Sequence, residues 1–309
     1  MKDIIFKSAT EIVREIKARK VTSVFVVSQF LKQITEYNKD INAITDLREI
    51  NKILEEAARK DEDIKEGKSL GSLHGLPVTV KDSYNVKGLI SSNGNPQLKS
   101  NIVETDAELV RRIKDAGAII IGKSNLALYA LDWQSTNDWF GQTNNPYNLK
   151  HVVGGSSGGS AAALASGFTP LELGTDAGGS IRVPAHFCGV CGLRTTESAL
   201  PSRGNMVMPK SLRIGRYLTC NGPMARNVGD LILMMDVLSN PKQQFSEIPP
   251  VDLMQFQLNP KSKLKIAYSP TIDGVELDSE YKELYDQFIG KLEKSTEIKI
   301  SNTKPKYDS

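Results

Sequence analysis

The chain reads GGSSGGS over residues 154–160 and GTDAGGSIR over residues 174–182. Glycine has no side chain, so the backbone at these positions can approach a ligand closely, and both stretches place serine hydroxyls on that backbone. Loops of this composition are suited to chemistry on a small group. The two stretches therefore predict a catalytic site.

Composition excludes several classes of protein. The 309 residues include 39 Lys and Arg against 36 Asp and Glu, a formal net charge of +3, without long blocks of one sign. This pattern gives no electrostatic footprint for nucleic acid. The first residues lack the apolar core of a secretory signal, and no stretch approaches the roughly 18 apolar residues of a membrane span. We therefore expect a soluble, cytoplasmic protein that binds neither nucleic acid nor membrane.

The three cysteines predict neither a disulfide framework nor a metal site. Cys188 and Cys191 have the C-x-x-C spacing of redox and zinc sites, but a structural zinc needs two further ligands and the chain has no second such pair. His186 lies nearby, yet it is one of only 3 histidines. We interpret these cysteines as small buried residues and expect no metal and no cofactor.

Hydrophobic periodicity alternates between helix and strand along the chain, which predicts an α/β fold. Ser8 and Glu11 form a capping-box pattern before an apolar stripe, and Thr105 with Glu108 repeats it later. Prolines among polar residues mark residues 239–262 as a surface connection. The predicted helices begin at residue 8, at residue 22 or 23, and near residues 49, 108, 160, 227 and 278. The second of these is predicted to end at a break at residues 38–40. The predicted strands cover residues 41–47, 76–80, 118–121, 190–194, 264–268 and 297–300.

Two familiar kinds of site do not match the glycine stretches. A phosphate-binding P-loop needs a lysine after its second glycine, whereas Gly159 is followed by Ser160. A Ser-His-Asp hydrolase usually sets its serine in G-x-S-x-G, which the residues around Ser180 do not match. His186 could serve Ser180 as a base, but its position just after Pro184 is more simply that of a packed residue.

A serine can instead be activated by a neutral lysine whose pKa is lowered by burial and crowding. Lys81 is the natural candidate, because it directly follows a strand of uncharged residues, where an open α/β sheet forms its ligand crevice. A lone lysine at a strand end is more often a surface residue. The glycine stretches favour the catalytic interpretation.

These residues together resemble the amidase signature family of serine hydrolases. The resemblance runs from about residue 10 to residue 238 and is densest over residues 154–163 and 173–185, continuing into CGVCGLR at residues 188–194. HGLPVTVKD at residues 74–82 and GAIIIGKSN at residues 117–125 also lie where the family has them. The resemblance implies a mixed central β-sheet covered by helices on both faces, in a single amidase domain over residues 1–309.

The resemblance further implies a Ser-cisSer-Lys triad, with Ser180 as nucleophile, Ser156 as bridging serine and Lys81 as base. Ser180 would attack an amide carbonyl after its proton passes through Ser156 to neutral Lys81, and water would then clear the acyl-enzyme. In the family the bridging serine follows a cis peptide bond, which here would join Gly155 to Ser156. Ser157 would steady Lys81 or face the following helix.

An oxyanion hole is expected in the second glycine stretch, because glycines let backbone N–H groups converge without side chains in the way. Asp176 and Arg182 are expected to hold this loop rather than to contact substrate. The expected oxyanion donors are the backbone N–H groups of Ala177, Gly178, Gly179 and Ser180.

The chain departs from the family pattern in two respects. Family members are usually longer, and their C-terminal part supplies further strands and part of the acyl-pocket wall; Leu128 also stands where an acidic residue is common. A truncated, inactive amidase-like protein is therefore one alternative. The amidase subunit of a tRNA-dependent amidotransferase is another, although MPKSLRIG at residues 208–215 differs from the stretch usual in that subunit. The expected partner is a small-molecule amide, and dimers in the family leave a homodimer open.

Overall fold

The computed structural model describes residues 4–205, 218–239, 264–269, 275–294 and 298–302. The chain divides into two compact units, Met1–Asp252 and Leu253–Ser309. The stretch at residues 208–215 lies outside the described residues, as does the surface connection predicted for residues 239–262, apart from residue 239. The expectation of a single domain stays a prediction.

The first unit alternates helices with strands, as the periodicity predicts. Its described helices are α1 (Ala9–Lys17), α2 (Ser23–Ile41), α3 (Ile50–Lys65), α4 (Glu108–Asp115), α5 (Gly158–Ala165), α6 (Arg182–Phe187) and α7 (Val228–Leu238). Its described strands are β1 (Ile44–Leu47), β2 (Pro77–Lys81), β3 (Ile119–Ser124), β4 (Asn144–Asn145), β5 (Asn148–Val152), β6 (Leu171–Asp176), β7 (Cys191–Gly192) and β8 (Cys220–Ala225).

A six-stranded mixed sheet with the order β1-β3-β2-β6-β8-β7 forms the centre of this unit. Strands β3, β2 and β6 run parallel to one another, whereas β1 pairs with β3, and β8 with β6 and β7, in antiparallel fashion. Strands β4 and β5 form a separate hairpin. The carboxyl ends of β2 and β6 therefore lie side by side, where open α/β sheets bind ligands.

Helices cover both faces of the sheet, which confirms the predicted fold class. Side chains alternate between the faces of a strand, and in β3 Ile120 packs into one hydrophobic core while Ile119 and Ile121 pack into the other. The core around Ile120 includes buried side chains of α1, α4 and α7. The opposite core includes buried side chains of α2, α3, α5 and α6. Strands β2 and β6 are buried along their whole length between these two layers.

Local signals account for some helix boundaries and fail at others. The capping box of Ser8 and Glu11 is present at the start of α1. The pattern at Thr105 is not a cap: Ala107 is the N-cap of α4, and the Glu108 carboxylate instead binds the guanidinium groups of Arg111 and Arg112.

Helix α2 also runs through the predicted break at residues 38–40. The Asn38 side chain does not end the helix, because its Oδ1 accepts hydrogen bonds from the N–H groups of Ala43 and Ile44 beyond the C-terminus. Asn42, at φ 55°, provides the left-handed cap.

The strand predicted for residues 190–194 is shorter in the structure. Only Cys191 and Gly192 pair with β8 as strand residues, and the Leu193 N–H donates to Pro223 O. Proline has no N–H to return the second hydrogen bond, so the ladder ends at this position.

The second unit contains, among its described residues, strand β9 (Leu264–Tyr268), helix α8 (Ser279–Glu293) and strand β10 (Ile298–Asn302). The two strands pair in parallel, with Leu264 opposite Ile298. Asp278 caps the helix by accepting hydrogen bonds from the N–H groups of Glu280 and Tyr281. The order strand, helix, strand confirms the prediction for this part of the chain.

Candidate active site

The structure brings the predicted catalytic residues to neighbouring strand and helix ends. Lys81 is the last residue of β2, Ser156 and Ser157 directly precede α5, and Ser180 lies in the turn between β6 and α6. The Ser157 N–H donates to Ser180 O at 3.1 Å, which joins the two glycine stretches. The peptide bond between Gly155 and Ser156 is cis, as the resemblance implies.

The ammonium group of Lys81 is enclosed by hydroxyl groups. Its Nζ lies 2.7 Å from Ser156 Oγ, 2.9 Å from Ser157 Oγ and 2.7 Å from Thr175 Oγ1. Lys81, Ser156 and Ser157 have no solvent-exposed surface. Three neutral oxygen partners hold the nitrogen in place without supplying a counter-charge.

This environment disfavours the charged form of Lys81. Burial lowers the pKa of Lys81 from 10.5 to about 7, and the negative charges of Asp176 and Glu172 act in the opposite direction without restoring it. The charged form is disfavoured because the hydroxyls solvate an ammonium group less well than water does. A pKa near the working pH is what a general base requires.

Glycines allow the first loop and α5 to pack against their neighbours. A Cβ atom at Gly159 would lie 2.4 Å from the backbone N of Asn125, and one at Gly158 would lie 2.4 Å from Ser135 Oγ. The Gly158 N–H instead donates to that hydroxyl at 2.7 Å. Any side chain at these two positions would displace the loop that carries Ser156.

Asp176 organises the second loop, as expected. Its carboxylate accepts hydrogen bonds from the backbone N–H groups of Gly179, Ile181 and Arg182 and from the Arg182 guanidinium group. Burial alone would raise the pKa of Asp176, but these hydrogen bonds outweigh burial and lower it. The carboxylate therefore stays charged and fixes the turn that presents Ser180.

The hydrogen bond from Gly179 changes the predicted set of oxyanion donors. At φ +117°, Gly179 directs its N–H to Asp176 Oδ1 at 2.7 Å, so this N–H faces the loop interior. Among the residues that the structure describes, the N–H groups of Ala177, Gly178 and Ser180 have no hydrogen-bond acceptor. These three N–H groups are therefore unpaired within the part of the chain that the structure describes.

A cavity of about 380 Å³ borders Ser180. Trp133 contributes one wall, and its indole Nε1 donates to Gly178 O at 3.1 Å, which ties the wall to the second loop. Apolar side chains from residues 130–133 thus face the same space as the serine. The cavity is lined by Ala130, Leu131, Asp132, Trp133, Ala177, Gly178 and Ser180.

Residues outside this cluster have other environments. His186 is exposed on α6, so its interpretation as a packed residue is wrong. Cys188 is buried, and burial raises its pKa to about 12, whereas Cys191 is half-buried. In the parts of the chain that the structure describes, no group of three or more His, Cys, Asp or Glu side chains could hold a metal ion.

Sequence reasoning did not identify three residues of the site: Thr175, Glu172 and Trp133. Thr175 lies within the second glycine stretch, and its hydroxyl side chain was the available signal. Glu172 lies in β6, which also ends on the acidic Asp176, and its side chain is fully buried. Trp133 gave no local signal, because its contact with the second loop joins residues 45 positions apart.

The amidase family model matches residues 25–308, and the chain belongs to this family. It is 36% identical over 297 residues to a glutamyl-tRNA(Gln) amidotransferase subunit of Carboxydothermus hydrogenoformans, a match that covers 94% of this chain and 59% of that protein. It is 33% identical to human fatty-acid amide hydrolase 2 over 77% of this chain and 46% of that enzyme. The chain therefore spans only about half of the length of these relatives.

Solved structures show the same fold. A fatty acid amide hydrolase superposes with a TM-score of 0.90 at 29% identity, covering 98% of this chain and 53% of that one. A bacterial aryl acylamidase of the amidase signature family superposes with a TM-score of 0.81 at 26% identity, covering 96% of this chain and 61% of that one. Within the described residues, no helix has the length and apolar character needed to cross a membrane.

Proposed function

We propose that this chain carries the catalytic part of an amidase, in which Ser180 is the nucleophile, Ser156 the bridging serine and Lys81 the base. One observation carries the proposal: Lys81 is fully buried, has a pKa of about 7 and lies 2.7 Å from Ser156 Oγ. A lysine in this state can accept a proton from a serine at neutral pH. Ser157 and Thr175 hold its nitrogen toward Ser156.

The proposed reaction hydrolyses a carboxylic acid amide. Ser180 Oγ attacks the carbonyl carbon while its proton passes to Ser156, whose own proton passes to neutral Lys81. The N–H groups of Ala177, Gly178 and Ser180 stabilise the oxyanion; one such donor is typically worth about 2.7 to 4 kcal/mol. The proton on Lys81 then returns through Ser156 to the leaving nitrogen, and ammonia or an amine departs. Water hydrolyses the acyl-enzyme by the same relay.

A second candidate is the amidase subunit of a tRNA-dependent amidotransferase, which would pass ammonia to a partner protein. The 36% identity to the amidotransferase subunit from Carboxydothermus hydrogenoformans, over 94% of this chain, favours it. The two candidates share the same catalytic residues and differ in their need for a partner: the amidotransferase subunit would require one, whereas the autonomous amidase would not. Ammonia release from a small-molecule amide, with and without a partner protein, separates them.

The experiment that tests the catalytic assignment is covalent labelling with a fluorophosphonate probe, which modifies activated serines, followed by peptide mass spectrometry. We expect one adduct, on Ser180, which disappears in Ser180→Ala and in Lys81→Ala. Ser28→Ala is the matched control, because Ser28 lies on α2 and its hydroxyl donates only to the backbone at Val24 O. This variant should label normally.

Two results would contradict the proposal. An adduct that persists in Lys81→Ala would show that Lys81 is not the base. No adduct on a chain that melts cooperatively would favour the alternative of an inactive amidase-like protein. A homodimer and a cytoplasmic location stay predictions of the sequence.

A further inference from the structure

A second buried ionisable group lies on the same face of the sheet as Lys81. Glu172 is in β6 and has no exposed surface. It pairs across the sheet with Thr79 of β2, and the Thr79 hydroxyl donates to Glu172 Oε1 at 2.5 Å. Thr79 and Lys81 are two residues apart in one strand, so their side chains lie on the same face. The carboxyl group thus belongs to the polar layer that contains Lys81.

Hydroxyl groups complete the surroundings of this carboxyl. The hydroxyl groups of Ser124 in β3 and Ser160 in α5 favour the charged form of Glu172, and their own Oγ atoms are 2.9 Å apart. The Leu173 N–H donates to Glu172 Oε2 at 3.2 Å. None of these partners carries a charge. The carboxyl is therefore held in one position by neutral donors, and among the described residues no cation pairs with it.

Few charges face Lys81 and Glu172 from the packed elements. Helix α5 has no titratable side chain. In β3, Lys123 is engaged with Asp82 at 2.9 Å. Tyr84 donates its hydroxyl to Gly174 O, and burial raises its pKa well above 10.0, so it stays neutral.

Among the residues that the structure describes, the other carboxylate acting on Lys81 is Asp176. It pairs with the Arg182 guanidinium group at 3.0 Å, and its pKa is lowered, so its charge is constant near neutral pH. Glu172 differs, because burial raises its pKa from 4.5 to about 7 against the hydrogen bonds from its partners. Glu172 is therefore the acidic neighbour of Lys81 whose charge changes in the working range.

We propose that Glu172 is a positioning residue whose carboxylate charge sets the pH at which Lys81 becomes an uncharged base. The inference rests on the proposed role of Lys81 in catalysis. An ionised Glu172 stabilises the ammonium form of Lys81, whereas a protonated Glu172 does not. Removal of this charge should let Lys81 lose its proton at lower pH, and so should extend activity toward acid.

The test compares the chain with Glu172→Gln, which keeps the shape and one oxygen acceptor; the surrounding hydroxyls can rotate to accept from the new amide. Thr79→Val is a second variant: it keeps the carboxyl but removes a donor that stabilises its charge, so it should shift Lys81 in the same direction by less. Glu108→Gln is the matched control, since Glu108 is a buried carboxylate on α4, paired with Arg112. It should leave Lys81 unchanged.

Two readouts are measured on each variant that melts cooperatively. The first is the titration of Lys81 by the NMR shift of ¹³C at its Cε, assigned with Lys81→Met, which needs no catalysis. We expect Glu172→Gln to lower the midpoint by about half a pH unit, because Glu172 is itself only partly ionised near pH 7. The second is the rate of fluorophosphonate labelling, which should rise by up to about twofold at the original midpoint, because the uncharged fraction of Lys81 there can rise from one half toward one.

The two readouts separate this inference from the proposed function. A lower Cε midpoint without labelling of any variant supports the role of Glu172 and contradicts the catalytic proposal. If Glu172→Gln labels normally and the midpoint of the Lys81 titration is unchanged, the inference is overturned. If Glu172→Gln does not fold, an unchanged Lys81 midpoint in Thr79→Val overturns it instead. If Glu172 had a purely structural role, Glu172→Gln would lower the stability of the protein and leave the midpoint of the Lys81 titration unchanged.

Discussion

Replacement of Lys81 by methionine should stabilise the protein at neutral pH while it abolishes the proposed activity. In the folded chain the pKa of Lys81 is about 7, against 10.5 for an ordinary lysine. Between these two pH values the unfolded chain binds more protons than the folded chain, so the free energy of unfolding rises with pH across this window. The difference between the two pKa values corresponds to about 5 kcal/mol at 25 °C.

The gain in Lys81→Met is smaller than this figure, because three hydroxyls lose a hydrogen-bond partner. Each loss costs about 1 kcal/mol, and Ser157 retains a second bond, from its Oγ to Thr175 O at 3.3 Å. We therefore expect Lys81→Met to be about 2 kcal/mol more stable than the unaltered chain at pH 7. The advantage should fall as pH rises, and reverse before pH 10.5, where the lysine no longer has to be deprotonated on folding.

Urea unfolding at pH 7, 8, 9 and 10, followed by the fluorescence of the 2 tryptophans and by circular dichroism, measures both free energies. The informative quantity is the difference between the free energies of unfolding of the two proteins, because the other groups that titrate in this pH range are common to both. Parallel stability curves would refute the reasoning: they would mean that Lys81 keeps its proton in the folded chain.

Two further variants test the loop that presents the nucleophile. Asp176→Asn removes the carboxylate charge that receives five hydrogen bonds. We expect a loss of about 3 to 5 kcal/mol in the free energy of unfolding and little fluorophosphonate labelling. Normal labelling at full occupancy would show that other contacts hold the loop. Trp133→Phe removes the hydrogen bond from the indole N–H to Gly178 O, so we expect fluorophosphonate labelling to slow several-fold. Because Trp133 is 60% exposed, the same urea method should show less than about 1 kcal/mol of destabilisation.

Short-range sequence signals marked the region of the proposed catalytic residues, and the family resemblance assigned their roles. Ser156, Ser157 and Ser180 stand in stretches whose glycines meet the neighbouring backbone closely, and Lys81 ends an uncharged strand, so both signals are local. The direction of the Gly179 N–H is also a local feature: an aspartate three residues earlier commonly accepts such an N–H in a turn. That pattern was present in the sequence but was not used.

The contacts around Glu172 could not be predicted in the same way. The bond from Thr79 joins residues 93 positions apart, and it exists because β2 and β6 are neighbours in the sheet. The sequence of neither strand indicates which strand lies beside it in the sheet. Helix ends show a related limit, because Asn38 can either end a helix or, as here, bind the backbone beyond it. The sequence patterns therefore predicted the alternation of helices and strands, but they could not predict the strand order or the side-chain partners.

Adjacent positions of the chain carry a basic and an acidic side chain into opposite layers of the molecule. Lys81 points to the hydroxyls beside α5, while Asp82 binds Lys123 on the other side of the sheet. If one residue were deleted from β2, the carboxylate of Asp82 would enter the place of the base, and Lys81 would turn toward Lys123. The chemistry of the site thus depends on whether Lys81 falls on an odd or an even position along β2, so a deletion within this strand should abolish activity even if every remaining side chain is kept.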